Sequence, residues 1–179
     1  MTSTAGARDE PIRAAVLVPL YVQGDERGVI LTQRAAGVAT HAGQVAFPGG
    51  RYDASRDTNL MATALRETYE EIGLPGDRVE VIGVLAERRT LSSNYIISPF
   101  VGRIPPTIPL CLDRREVCHA FRAPLQGFAA PERRGRFVWM YGGQPYEVPF
   151  VAVGKRRVWG VTLEIIDDLL VELSGILAP

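Results

Sequence analysis

Thr63-Ala64-Leu65-Arg66-Glu67-Thr68-Tyr69-Glu70-Glu71-Ile72-Gly73-Leu74 reads as a helix that gathers three carboxylates on one face. At about 100° per residue, Glu67, Glu70 and Glu71 fall at i, i+3 and i+4, while Met61, Leu65, Tyr69 and Ile72 form an apolar stripe on the opposite side. Like charges at such spacings cost an isolated helix about 0.2–0.5 kcal/mol per pair, and Arg66 is the sole cation in the stretch. An acidic helix face is ordinarily a solvated one. A cluster that repels itself this closely is better explained by a hard divalent cation, since Mg²⁺ or Mn²⁺ favours carboxylate oxygens.

The flanks sharpen that reading. Phe47-Pro48-Gly49-Gly50 and a polar loop from Arg51 to Asn59 precede the helix; Gly73 ends it, and Pro75-Gly76 blocks any continuation. The segment resembles the Nudix hydrolase signature: a glycine, a loop carrying an acid, then R-E-U-x-E-E-x-G-U, where U is apolar. Arg66 to Leu74 fits the second half at every position except Thr68, which occupies a U slot. The first half departs from the pattern. The loop between Gly50 and Arg66 is longer than the usual one, Thr58 stands where the loop glutamate would count, and Asp53 and Asp57 are the acids available to replace it.

Upstream, Ile30-Leu31-Thr32-Gln33-Arg34-Ala35-Ala36 and Gly43-Gln44-Val45-Ala46-Phe47-Pro48-Gly49-Gly50 resemble the additional motif of the coenzyme A pyrophosphatase branch of Nudix enzymes. Ala39 stands where that motif carries an arginine. The resemblance implies a Nudix-type α/β/α sandwich with a mixed β-sheet. It also implies a metal-dependent pyrophosphohydrolase that cleaves coenzyme A or its derivatives to 4′-phosphopantetheine and adenosine 3′,5′-bisphosphate. A Nudix hydrolase of ADP-ribose, NADH or a nucleoside triphosphate is the runner-up, and a non-catalytic nucleotide sensor is the alternative outside enzymes.

Pyrophosphate hydrolysis needs a nucleophilic water and neutralisation of the charge growing on phosphorus, and carboxylate-bound Mg²⁺ or Mn²⁺ supplies both. Glu67, Glu70 and Glu71 are the candidate ligands, and the Gly49-Gly50 turn lets backbone approach metal or phosphate, with Gly50 at the signature's first position. Arg66 is expected to orient one of these carboxylates. Glu67, Glu71 and Glu116 all remain admissible as general base. Arg34, Arg51, Arg88 and Arg89 are candidates for the substrate's phosphates, and the loop from Arg88 to Tyr95 mixes basic, hydroxyl and aromatic groups as an adenine contact requires. His41 and His119 are read as structural.

Composition sets the outer bounds. At 179 residues with 46% apolar side chains, one Nudix domain over residues 11–179 is expected, preceded by a flexible stretch over residues 1–10. Twenty basic and twenty acidic side chains cancel, so no global field draws nucleic acid or an anionic membrane. No apolar run approaches the roughly 20 residues of a membrane span, and the small polar N-terminus lacks a signal-peptide core. A cytoplasmic protein acting on a small nucleotide-type substrate is expected, with a homodimer as the one protein partner admitted. Cys111 and Cys118 form no metal or disulfide framework. Strands are expected over Ala14–Val22, Val29–Gln33, Gln44–Phe47, Val79–Ala86, Ile96–Arg103, Phe137–Tyr141 and Glu147–Val151, with an amphipathic closing helix from Trp159 to Leu177.

Overall fold

The first strand, β1 (Ile12–Gln23), places apolar side chains on both of its faces. Val18 and Leu20 join one core with Val29, Leu31, Phe128, Val151, Val158 and Ile166, whereas Ala15, Leu17 and Tyr21 join another with Ala64, Ile72, Leu74 and Val117. A strand covered on both faces loses the alternation of a half-exposed one, and each fully buried Leu, Ile or Val contributes about 1.5–3 kcal/mol. The two cores are the two interlayer spaces of an α/β/α sandwich, as expected from the sequence. The computed structural model describes residues 10–37, 42–91 and 93–175. Ala39 and His41 lie outside the described residues.

Around β1 forms a mixed eight-stranded sheet. β1 runs antiparallel to β2 (Glu26–Arg34) and parallel to β7 (Tyr95–Arg103), which in turn pairs with β5 (Glu80–Val84) and β6 (Arg88–Arg89). β2 pairs with β1 from Leu20↔Val29 to Gln23↔Glu26, with β8 (Val117–Pro124) from Gly28↔Pro124 to Arg34↔Val117, and with β3 (Val45–Ala46) at Thr32 and Gln33. The gap left along β1 is filled by β4 (Gly49–Arg51), with Val16 opposite Gly49 and Ala14 opposite Arg51. The Gly-Gly turn therefore sits where the sheet splits.

Helix α1 (Leu60–Ile72) covers one face of the sheet. Asn59 caps it by accepting from the Ala62 N–H at 2.9 Å, and Gly73 closes it in the left-handed region at φ 67°. Helix α3 (Gly160–Gly175) covers the other face through Leu163, Ile165, Ile166 and Leu169. Between them in sequence lie the short helix α2 (Gln126–Ala129) and a separate antiparallel sheet of β9 (Arg134–Tyr141), β10 (Gln144–Val153) and β11 (Arg156–Trp159). The β9–β10 hairpin turns on Gly142 and Gly143, both at positive φ.

Three sequence expectations need correction. The apolar stripe of α1 packs only in part: Ile72 is buried and Leu65 lies against the core, whereas Met61 and Tyr69 are exposed and Ala64, Thr68 and Glu71, off the stripe, are buried. Burial follows what β1 and the chain after Cys111 cover, so a carboxylate lies inside. β4, β6, β8 and β11 escape the pattern because three of them are only two to four residues long, and β8 interrupts its alternation with Cys118, His119 and Arg122. The first two strands run further than the expected Val22 and Val29 bounds, to Gln23 and from Glu26, so the hairpin turns on Gly24-Asp25.

Candidate active site

Glu71 is 3% exposed. Its Oε2 accepts the Gly49 N–H at 3.3 Å, and its Oε1 lies 3.8 Å from Arg34 Nη1. Burial pushes its carboxyl up to about 8, with Arg34 and the Gly49 N–H opposing and the Glu67 and Glu116 charges adding to the rise. Glu67, half-buried one turn earlier, is also raised by burial, with Arg66 opposing. Its carboxylate lies against Gly50, where a Cβ would come within 2.5 Å of Glu67 Cδ. Only glycine allows that approach. Gly49, at φ 152°, is equally constrained, because a Cβ there would meet Ala15 O at 2.3 Å.

Arg66 is held from below. Its Nε and Nη2 donate to the two oxygens of Asp57 at 2.7 and 2.8 Å, and Asp57, 4% exposed, also accepts from Thr63 Oγ1 and the Asp53 N–H. The guanidinium holds the Asp57 carboxyl well below the usual carboxylate range. With two donors spent there, Arg66 Nη1 reaches Glu67 Oε1 at 2.7 Å and Glu70 Oε2 at 3.1 Å. Of the two acids available in the long loop, Asp57 is thus the one that anchors Arg66. Asp53 is turned outward onto Ser55. The spacing could not separate them, whereas a bidentate carboxylate under a partly buried arginine does.

Glu116 is brought in by the chain that crosses the end of α1. The Cys111 and Asp113 N–H groups donate to Ile72 O and Glu71 O, and Glu116 itself is bound through its carbonyl to the Ala35 N–H. Its charge acts on both Glu67 and Glu71. Glu70 differs from the other helix acids. It is half-exposed, and its second oxygen pairs with Arg56 at 2.5 Å. Arg51 lines a recess of 600 Å³ with Tyr52, Asp53, Ala54, Arg56, Arg66 and Glu67. Arg88 and Arg89 are placed elsewhere. Arg88 pairs with Asp168 and Glu164 on α3, and Arg89 donates to Asn94. His119 is exposed on β8, and both cysteines are free thiols.

The NUDIX domain family profile matches residues 11–140, and a Nudix hydrolase NudL of Escherichia coli is 40% identical over 165 residues, spanning 90% of this chain and 83% of its own. The chain belongs to the Nudix family. A Nudix hydrolase NudL of Cronobacter sakazakii is 39% identical over 175 residues, again spanning 90% of this chain and 83% of its own. Among solved structures, the NUDIX domain of Shewanella oneidensis NrtR, crystallised with ADP ribose, superposes with a TM-score of 0.60 at 14% identity, over 97% of this chain and 94% of that one. This last likeness concerns the fold alone.

The protein is accordingly a Nudix hydrolase, of a class that acts on nucleotide derivatives and generally uses divalent metal ions. Among the described residues, no three Asp, Glu, His or Cys side chains converge tightly enough to form a ready-made ion cage; Arg66 is the cation that bridges Glu67 and Glu70. The donor chemistry nonetheless fits a hard cation. Glu67 and Glu71 are carboxylates whose ionisation is opposed by burial and by one another, so a divalent ion held there would relieve what raises them.

Proposed function

We propose that this Nudix hydrolase cleaves the pyrophosphate bond of coenzyme A or its derivatives, releasing 4′-phosphopantetheine and adenosine 3′,5′-bisphosphate. The observation that carries the hydrolytic reading is the pairing of the buried Glu71 and half-buried Glu67 against the Gly49-Gly50 turn, within electrostatic reach of Glu116. Glu67 and Glu71 would hold the Mg²⁺ or Mn²⁺, with Glu70 exchanging its arginine partners to join them. When bound, the ion lowers the pKa of water and neutralises charge on the phosphoryl oxygens. The chain does the rest. Asp57 fixes Arg66, Arg66 orients Glu67, and the Gly49 N–H orients Glu71, so the acids are positioned before substrate arrives.

Glu116 is exposed and is bound to the fold through its backbone, which suits a general base that must reach water. Arg34 stands beside Glu71 with a buried Nε that has no hydrogen-bond partner among the described residues, and Arg51 lines the recess beside Arg66 and Glu67. These two would meet the phosphates; Arg88 is engaged by Asp168 and Glu164 of α3 and Arg89 by Asn94. The coenzyme A assignment rests on the upstream motif from Ile30 to Gly50, whose strand β2 delivers Arg34 and whose end delivers the Gly-Gly turn. ADP-ribose, which the Shewanella neighbour binds, NADH and nucleoside triphosphates are the competing substrates. Turnover of coenzyme A, its oxidised and acyl forms, ADP-ribose, NADH and nucleoside triphosphates, each with Mg²⁺ and with Mn²⁺, tests the proposal. Faster turnover of any substrate other than the coenzyme A group replaces it.

A further inference from the structure

Glu70 carries a guanidinium on each of its oxygens. Arg56 Nη2 donates to Oε1 at 2.5 Å, and Arg66 Nη1 donates to Oε2 at 3.1 Å. The two arginines are not held alike. Arg66 is mostly buried, with its Nε and Nη2 spent on Asp57 and its Nη1 shared with Glu67. Arg56 is half-exposed, and among the described residues its guanidinium hydrogen-bonds to Glu70 alone. Its backbone, by contrast, is fixed. The Arg56 and Asp57 N–H groups both donate to Asp53 O, at 3.0 and 2.8 Å, and the next side chain along, Asp57, is buried beneath Arg66. The loop thus delivers Arg56 to one place and leaves its side chain able to turn.

A second place for that side chain is at hand. Arg56 lines the 600 Å³ recess together with Arg51, Arg66 and Glu67. Three guanidinia stand there beside two carboxylates, and one of these, Asp53, is turned onto Ser55. The wall therefore has cationic donors to spare for a phosphate oxygen. An exposed ion pair is weakly held, so the contact between Arg56 and Glu70 is one the fold can give up. A divalent ion on the helix acids would carry twice the charge of Arg56 and compete for the same Glu70 oxygens. Arg56 would then face a cation where it had faced a carboxylate, and an anion in the recess would be its remaining attraction.

Resting on the reading of Glu67, Glu70 and Glu71 as the metal-binding acids, we infer that Arg56 is an exchangeable positioning residue: it holds Glu70 in the metal-free protein, yields it when the acids take up a divalent cation, and turns to a phosphate group of the substrate in the recess beside Arg51. Cation and phosphate each release Arg56 from Glu70 in favour of the other, so each strengthens the other's binding. The experiment uses the full chain and needs no turnover. Mn²⁺ is titrated without any phosphate ligand and followed by the electron paramagnetic resonance of the free ion. Methylenediphosphonate, a pyrophosphate analogue that is not hydrolysed, is titrated separately by calorimetry in excess Mg²⁺.

In Arg56→Ala, Mn²⁺ is expected to bind about two- to fivefold more tightly, because it no longer has an exposed ion pair to break, while methylenediphosphonate is expected to bind about tenfold more weakly. Arg56→Lys keeps a cation for Glu70 but loses the fork for phosphate. It is expected to match the parent toward Mn²⁺ and to fall between the parent and Arg56→Ala toward the diphosphonate. A merely structural arginine would not move the two affinities in opposite directions. Unchanged or weaker Mn²⁺ binding in Arg56→Ala overturns the exchange, and unchanged diphosphonate binding overturns the phosphate role. The underlying reading fails separately: a parent that takes up no Mn²⁺ removes the metal-binding acids and the inference with them, whereas Mn²⁺ bound equally by the parent and Arg56→Ala leaves the acids standing and removes the role of Arg56 alone.

Discussion

Replacing Glu71 by Gln should stabilise the metal-free protein at alkaline pH while abolishing most of its activity. Glu71 is nearly inaccessible, and burial raises its carboxyl from 4.5 to about 8. For a group raised in the folded state, the stability it contributes is complete below the unfolded value and is lost as pH climbs through the folded one. The window here is therefore about pH 4.5 to 8. A tenfold change in an ionisation equilibrium is worth about 1.4 kcal/mol, so at pH 8.5 the ionised parent carries a penalty on the order of 4–5 kcal/mol that Gln, which keeps an acceptor for the Gly49 N–H, does not. For a chain of this length, 1 kcal/mol moves the melting point by about 2–4 °C, and Glu71→Gln should melt about 8–20 °C above the parent in EDTA at pH 8.5. The gap should close as pH falls to 4.5. Calorimetric scans across that range check it. A variant that melts at or below the parent at pH 8.5 would show that Glu71 is not held against its own ionisation. Mg²⁺ should raise the melting point of the parent and much less that of the variant, whose turnover should drop by orders of magnitude.

Asp57→Asn should be the costliest single change near the site, at about 3–5 kcal/mol, because it leaves the partly buried Arg66 without its bidentate partner; chemical denaturation measures the loss, and a cost under about 1 kcal/mol refutes the anchoring role. Since Asp57 is depressed, its contribution is present above the ordinary carboxylate value and lost below it, so the parent but not Asp57→Asn should lose stability steeply below about pH 4. Gly50→Ala should keep the fold and lose activity at least about tenfold, because its Cβ displaces the Glu67 carboxylate; near-normal turnover would mean that Glu67 does not work from that position. Ala39→Arg, which restores the cation of the coenzyme A motif, should lower KM for coenzyme A by a few-fold to tens-fold, and no gain on coenzyme A alongside faster turnover of ADP-ribose or a nucleoside triphosphate would favour the competing substrates.

The glutamate helix, the Gly-Gly turn and the order of the longer strands were legible because each is written in local terms: a 3.6-residue period, a capping Asn59 and Gly73, and runs of β-branched residues. The small sheet was legible only as a hairpin. Its docking depends on contacts such as Arg156 to Gln33 Oε1, across 123 positions of sequence, which no local pattern encodes. The four candidate phosphate arginines show the same limit. Arg34 and Arg88 look alike in the sequence, yet β2 carries one to Glu71 and β6 carries the other to Asp168.

The misplaced face of α1 shows why the site itself was the hardest part to read. A helix judged by its own pattern turns Met61, Leu65, Tyr69 and Ile72 inward and the glutamates out, and only Ile72 and Leu65 follow it. The sheet and the crossing segment instead bury Thr68 and Glu71 and leave Tyr69 exposed, a choice that costs stability wherever apolar contact is the only consideration. Local rules broken without a local compensation mark the places where the fold serves something other than itself. At Glu71 the compensation lies in the Gly49 N–H and Arg34. The same reasoning makes Gly49 and Gly50 informative, because each is a poor strand residue and each stands against an acceptor or carboxylate that a side chain would displace. The broken helix pattern and the weakened strand meet at one point, and that meeting supports the proposed active site better than the count of glutamates does.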